Sequence, residues 1–309
     1  MKKTIGIIGP GKHFTEKIYP IIKKNKKLKI LAILRKNKKK FKKIQILNEH
    51  NFFKKKFDFI YIATPNFFHE KFIIKSLNNN SHVICEKPFL LNDKKLQYIL
   101  DLSKIKKKLI FEAFMYVYHP AFYFIKKQIV QKKYGKLSYI ISNFKFPGLD
   151  KKNNRYNYNN GGFLFDSASY LISLESYLFN STFDKKIKFF SSYIKKKISL
   201  RGNIIVISKK IKRFYFWGEG QNYSNNLEIF FENATIFCNK FFSKFSNEVT
   251  QIKIFTKNKI EKKNFKNINH FGKMFNFIFK NYKKKKFQNF CRKRIENQTK
   301  LMQKIRKNL

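Results

Sequence analysis

Acidic residues, arginine, cysteine, glycine and proline are all scarce in this chain. Only 18 of 309 residues are Asp or Glu, against 69 Lys and Arg, which leaves a formal charge of +51. Three cysteines (Cys85, Cys238 and Cys291) are odd in number and lack CxxC spacing. A disulfide scaffold and a structural zinc site are therefore excluded, and a reducing cytoplasm is expected. His, Asp and Cys never cluster at ligand spacing, so no metal is expected. No uncharged apolar run approaches the ~18 residues of a membrane span, so no membrane partner is expected. The opening Met1-Lys2-Lys3 imitates a leader, but its apolar run ends by Ile8 and meets Gly9-Pro10-Gly11-Lys12, too short for an h-region.

What is present is apolar and aromatic: 43% hydrophobic residues and 18% Phe, Trp and Tyr rule out a disordered chain. A chain of this length buries roughly three quarters of its unfolded surface and needs no covalent staple. The charge by itself points to a nucleic-acid partner. Against that, 62 of the cations are Lys and only 7 are Arg, whereas phosphate and base readout favour the Arg fork. The lysines run from end to end, and Lys, Asn, Ile, Phe and Tyr, with codons rich in A and T, are inflated together. An AT-rich coding bias accounts for this, and no specific nucleic-acid partner is expected. Nonspecific polyanion binding in low salt follows either way.

Residues 4–8, 28–34, 57–63, 81–85 and 108–111 are short apolar runs. Helical patterns separate them through Ile18, Ile21 and Ile22, around 38–48, over 69–78 and over 92–106. Alternation at this spacing predicts an α/β fold with a doubly wound parallel sheet. Beyond about residue 135 the pattern becomes alternating strands: 137–144, 186–194, 204–211, 214–219, 226–231, 234–239 and 250–255. They predict an open, mostly antiparallel sheet, with a helix at 163–178 and a helical tail at 270–307. Two domains are expected: 1–118 for a dinucleotide and 119–309 for substrate and oligomerisation, the last helix packing back on the first domain.

Gly9-x-Gly11 lies at the first strand-to-helix turn, where the first glycine permits the turn and the second admits a pyrophosphate. Phe14 replaces the third glycine of GxGxxG, which holds the helix further from the strand. Lys12, His13 and Phe14 complete this candidate cofactor segment; His13 either touches a phosphate or caps the helix. The second strand ends not in an acid for the NAD ribose but in Arg35-Lys36, which suits a 2′-phosphate. NADP(H) is therefore preferred, with NAD(H) as the alternative.

Residues 57–92 carry Thr64-Pro65-Asn66, His69, His82-Val83 and Glu86-Lys87-Pro88 in one register. This stretch resembles the Gfo/Idh/MocA oxidoreductase family. The segments 111–122 and 155–174 resemble it too, although Val117 stands where an Arg is common. The resemblance implies that Lys87 is catalytic beside the nicotinamide. Thr64, Pro65, Asn66, His69 and Glu86 would then line the cofactor. From the second domain Asp166 and Tyr170, spaced i,i+4 after Gly161-Gly162, would project into a substrate pocket with His119 and Arg155. Tyr170 is either the general acid/base or a core aromatic; His119 is either a pocket residue or a structural one.

The implied reaction is hydride transfer between nicotinamide and a carbinol or ketone carbon of a sugar or nucleotide-sugar. Surface-polysaccharide synthesis in an AT-rich bacterium is the expected setting, and a homodimer or higher oligomer the expected assembly. A trans-dihydrodiol dehydrogenase-like activity and a non-catalytic dinucleotide sensor are the alternatives.

Overall fold

The computed structural model describes residues 2–35, 41, 44–150, 152–179, 186–195, 198–208, 211–245, 247–266 and 268–307. Lys36 lies outside them. The chain divides into two compact units, Met1–Phe114 with Phe275–Thr299, and Met115–Met274 with Lys300–Leu309.

The first unit is built on a six-stranded parallel sheet. Its strands are β1 (Lys3–Ile8), β2 (Leu28–Leu34), β3 (Gln45–Leu47), β4 (Phe59–Ile62), β5 (His82–Cys85) and β6 (Ile110–Glu112), in the order β3-β2-β1-β4-β5-β6. Between them run α1 (Tyr19–Lys24), α2 (Glu49–Lys54), α3 (His69–Asn78) and α4 (Leu96–Ile105). β4 is buried at all four positions, as a parallel strand covered on both faces must be. Strand order reverses between β1 and β4, and the crevice beyond their carboxyl ends is where open α/β sheets bind ligands.

One stretch departs from the sequence reading. The helix expected around 38–48 is replaced at its described end by the edge strand β3, and the helix α2 follows it. Asn48 caps that helix, its side chain accepting from the Asn51 N–H at 2.9 Å. A capping Asn signals the start of a helix, not its interior.

The second unit opens with α5 (Pro120–Gln131) and β7 (Leu137–Phe146), and continues through α6 (Ser169–Tyr177). Seven strands follow: β8 (Lys186–Lys195), β9 (Ile198–Ser208), β10 (Ile211–Glu219), β11 (Ser224–Phe231), β12 (Thr235–Asn239), β13 (Thr250–Phe255) and β14 (Ile260–Phe265). Together with β7 they form an eight-stranded sheet in the order β14-β13-β12-β11-β7-β10-β9-β8, antiparallel except where β10 meets β7. Two helices end the chain, α7 (His270–Asn281) and α8 (Lys285–Arg306).

One face of this sheet is buried through Ile140, Tyr215, Trp217, Leu227, Ile229 and Ile236. The opposite face is mixed: Phe214, Phe216, Phe230 and Phe237 are half-buried on it beside Lys212, Asn143, Asn226 and Glu228, and Tyr139 stacks on Phe230 at 4.2 Å. Among the described residues no helix is long and apolar enough to cross a membrane.

Candidate active site

The carboxyl ends of β1, β4, β5 and β6 bring together most of the first-unit candidates. Gly9 follows β1 with φ +65°, and a Cβ there would stand 2.3 Å from the Thr64 methyl beyond β4. Only glycine fits this turn. At Gly11 the opposite holds: no heavy atom lies within 4 Å of where a Cβ would be, so the backbone is open on that side. The Thr64 hydroxyl is buried and has no hydrogen-bond partner among the described residues. An open glycine backbone beside an unsatisfied hydroxyl fits a polar group lodged in the turn.

Phe14, at the third glycine position, is fully buried, its ring 5.5 Å from that of Tyr61. The side chain belongs to the core, which leaves only its backbone to a cofactor. The helix there begins as a π turn, Phe14–Ile18, before α1. Lys12 is exposed and lies 3.9 Å from Glu16. His13 makes no side-chain cap; its Nε2 lies 3.9 Å from Glu86 Oε1. Tyr61 donates to that same oxygen at 2.6 Å. Arg35 is half-buried just past β2.

Lys87 is half-buried after β5, and its bond to Pro88 is cis. His69, the first residue of α3, is fully buried behind this loop. Its Nδ1 lies 2.8 Å from Pro88 O and its Nε2 3.1 Å from Thr64 O. Burial pulls its pKa below the usual imidazole value. Pro65 is exposed, and Asn66 opens a short 3₁₀ turn, Asn66–Phe68. His82 sits at the opposite end of β5, where its Nδ1 accepts from the Leu109 N–H at 2.9 Å.

In the second unit, Gly162 (φ +62°) turns the chain into a π-helical segment, Leu164–Ala168, that runs on into α6. The structure brings Arg155, Asp166 and Tyr170 together. Arg155 Nε donates to Asp166 Oδ2 at 2.5 Å. The Asp166 carboxylate, with a smaller contribution from Tyr170, raises the Arg155 pKa above its ordinary value. Tyr170 is 5% exposed, ringed by Tyr116, Phe144 and Phe242, and its hydroxyl donates to Met115 Sδ at 3.7 Å.

His119 has partners of its own. It caps α5, Nδ1 accepting from the Ala121 N–H at 3.1 Å, with the Phe265 and His270 rings beside it. Burial first, then Lys244, push its pKa down to about 2, so it is neutral. Among the described residues no three His, Cys, Asp or Glu side chains could hold a metal ion.

The sequence reading missed Tyr61 and Glu112. Glu112 ends β6 almost fully buried, and accepts from the Phe89 N–H at 2.8 Å. Burial pushes its carboxyl up to about 8, against the opposing pull of that N–H and of Lys87. A single acid closing an apolar strand was its only signal.

Comparison with known proteins gives this site a context. Over 73 residues the chain is 34% identical to scyllo-inositol 2-dehydrogenase (NADP(+)) of Bacillus subtilis, covering 24% of this chain and 22% of the relative. It is 24% identical over 123 residues to trans-1,2-dihydrobenzene-1,2-diol dehydrogenase of Xenopus laevis, covering 40% and 37%. The chain thus spans well under half the length of these curated relatives. The fold of a 3-ketoreductase from Actinomadura kijaniata, in complex with NADP and TDP-benzene, superposes with a TM-score of 0.90 at 16% identity, covering 99% of this chain and 98% of the other. Residues 3–114 match the family described as "Oxidoreductase family, NAD-binding Rossmann fold". That stretch, just over a third of the chain, contains the Thr64-to-Pro88 motif series and is similar there to the Gfo/Idh/MocA oxidoreductases.

Proposed function

We propose that this protein is an NADP(H)-dependent oxidoreductase that moves a hydride between nicotinamide and a carbinol or ketone carbon of a sugar or nucleotide-linked sugar. One observation carries the reading. The Gly9 turn, the open backbone at Gly11, the unsatisfied Thr64 hydroxyl and Glu86-Lys87-Pro88 share the carboxyl edge of neighbouring strands. The curated relatives support a hydroxylated ring as substrate.

A bound nicotinamide cofactor supplies or accepts the hydride. The residues of this chain do the rest. The backbone at Gly9 and Gly11 receives the pyrophosphate, and the Thr64 hydroxyl donates a hydrogen bond to the cofactor. The Lys87 ammonium stabilises the negative charge that develops on the substrate oxygen during reduction. In the second unit Tyr170 serves as the proton donor for the substrate, and the Arg155–Asp166 pair holds substrate hydroxyls there.

The test begins with cofactor binding at physiological salt, followed by the fluorescence of the reduced nicotinamide. NADPH should bind more tightly than NADH, and Arg35→Ala should narrow the gap by about tenfold, the scale of one charge-assisted contact. Equal affinities in the parent protein would defeat the 2′-phosphate reading. Turnover is assayed with NADP+ and scyllo-inositol, and with NADPH and a dTDP-linked ketosugar. NADPH binding without turnover of any hydroxylated ring would instead identify a dinucleotide sensor.

The aromatic side chains Phe214, Phe216 and Phe230 on the outer face of the eight-stranded sheet support self-association. Sedimentation velocity should show a dimer or larger species that Phe230→Glu dissociates. A parent protein that sediments as a monomer at micromolar concentration would rule this assembly out.

A further inference from the structure

One peptide group in the first unit is held at both of its polar ends by buried ionisable side chains. The group joins Pro88 to Phe89, directly after Lys87. Its carbonyl oxygen faces His69 Nδ1 at 2.8 Å, and its N–H donates to Glu112 Oε1 at 2.8 Å. His69 is fully buried and Glu112 is 5% exposed. A neutral imidazole carries one ring proton; the shorter of its two carbonyl contacts assigns that proton to Nδ1, donating to Pro88 O. The unprotonated Nε2 then only lies near Thr64 O, 3.1 Å away, and makes no hydrogen bond to it.

The three anchoring points come from three successive βα units. His69 begins α3, the clamped peptide leaves β5, and Glu112 ends β6 in register with Cys85. Apolar side chains would fill the same space without the cost of burying a carboxyl group. The hydrogen bond to Phe89 is what the buried acid gains, and it fixes a peptide plane rather than a surface. The ionisable groups that face Glu112 are the Lys87 ammonium and the Cys85 thiol.

We propose that His69 and Glu112 are positioning residues that clamp the Pro88–Phe89 peptide group and thereby set the direction in which Lys87 leaves the sheet edge. The proposal rests on the reading of Lys87 as the residue that stabilises charge on the substrate. A fixed peptide plane immediately after a proline removes the backbone freedom that would let the lysine stem swing. Preorganisation of this kind matters because misplacement by ~1 Å can cost about a hundredfold in rate.

The test compares Glu112→Gln, which keeps an acceptor for the Phe89 N–H, with Glu112→Met, which does not. Hydrogen exchange at the Phe89 amide, read by mass spectrometry of the 86–90 region, reports the clamp whatever the substrate. Exchange should be parental in Glu112→Gln and at least tenfold faster in Glu112→Met. Turnover with scyllo-inositol and NADP+ should fall tenfold or more in Glu112→Met and recover in Glu112→Gln. NADPH affinity should stay within threefold in both.

If Glu112→Met does not fold, His69→Ala loosens the other end of the same peptide and should lower turnover as far. Parental exchange at Phe89 in the loosened variant overturns the clamp. So does a Glu112→Gln variant as impaired as Glu112→Met. Lys87→Ala separates the two levels: parental turnover there sinks the functional reading, whereas the Phe89 exchange result stands on its own.

Discussion

Lys87→Ala should lower turnover by about two orders of magnitude or more, the usual scale for a residue that handles charge or a proton in the transition state. NADPH affinity should change much less, because Lys87 follows β5 whereas the glycine turn that would receive the pyrophosphate follows β1. Hydride addition to a ketone builds negative charge on its oxygen, and an ammonium held beside that oxygen is worth most in a site closed to water. Tyr170→Phe is expected to fall by the same factor. Here the structure sharpens the contrast. The hydroxyl lies in an aromatic cage and donates to Met115 Sδ, so a purely structural tyrosine would, on losing it, change stability rather than turnover. Steady-state kinetics of the two variants therefore distinguish a proton donor from a core ring. Parental turnover in Tyr170→Phe would remove it from the mechanism and leave Lys87 as the residue to explain.

Much of the first unit was legible because parallel strands write themselves as uninterrupted apolar runs. β2 at 28–34 and α3 at 69–78 have the limits read from the sequence. The region around 38–48 failed for a physical reason. β3 has three residues, lies at the sheet edge and is half exposed, so no apolar run announces it. β14 was missed on the same grounds, since its first five positions are exposed and no inward alternation survives. In the second unit the helix after Gly161-Gly162 was found, but its opening π segment leaves no trace in residue spacing.

The candidate site divides in the same way. Gly9 and Gly11 were readable because a turn at a sheet edge constrains residue type at fixed positions, whereas Thr64 was named only through the family resemblance. The engagement of Glu86 with Tyr61, and of Glu112 with Phe89, depends on register between strands. A side-chain pattern along one strand cannot report which residue stands beside it on the next. The Arg155–Asp166 pair was invisible for a similar reason, since the two residues meet only after the chain has turned through the glycines.

The largest stability effect is expected at Glu175. It is fully buried on α6, and Arg213 of β10 binds both of its oxygens, Nε at 2.7 Å and Nη2 at 3.0 Å. Tyr215 donates to the same carboxylate at 2.5 Å, and the Arg213 guanidinium lies 4.8 Å from the centre of the Phe179 ring. Burial, and then the Glu175 carboxylate, push the Tyr215 hydroxyl well above the ordinary phenol range, so it stays a donor at any working pH. Removing one partner of such a pair strands the other without water, at a cost of about 3–5 kcal/mol. Glu175→Ala should therefore lower the unfolding midpoint by on the order of 10 °C, at roughly 2–4 °C per kcal/mol for a unit of this size. Replacing both charges, with Glu175→Leu and Arg213→Met together, should recover most of the loss, because neither charge is then left buried and unpaired. Denaturant titration of the single and double variants decides the cause. A double variant as unstable as the single would show that shape, not charge, ties α6 to the sheet. The consequence reaches the candidate site residues, since Tyr170 lies on α6 and Asp166 on the π segment that leads into it. Loosening Glu175 should therefore weaken substrate turnover before it unfolds the protein, as a rise in KM at temperatures well below the midpoint.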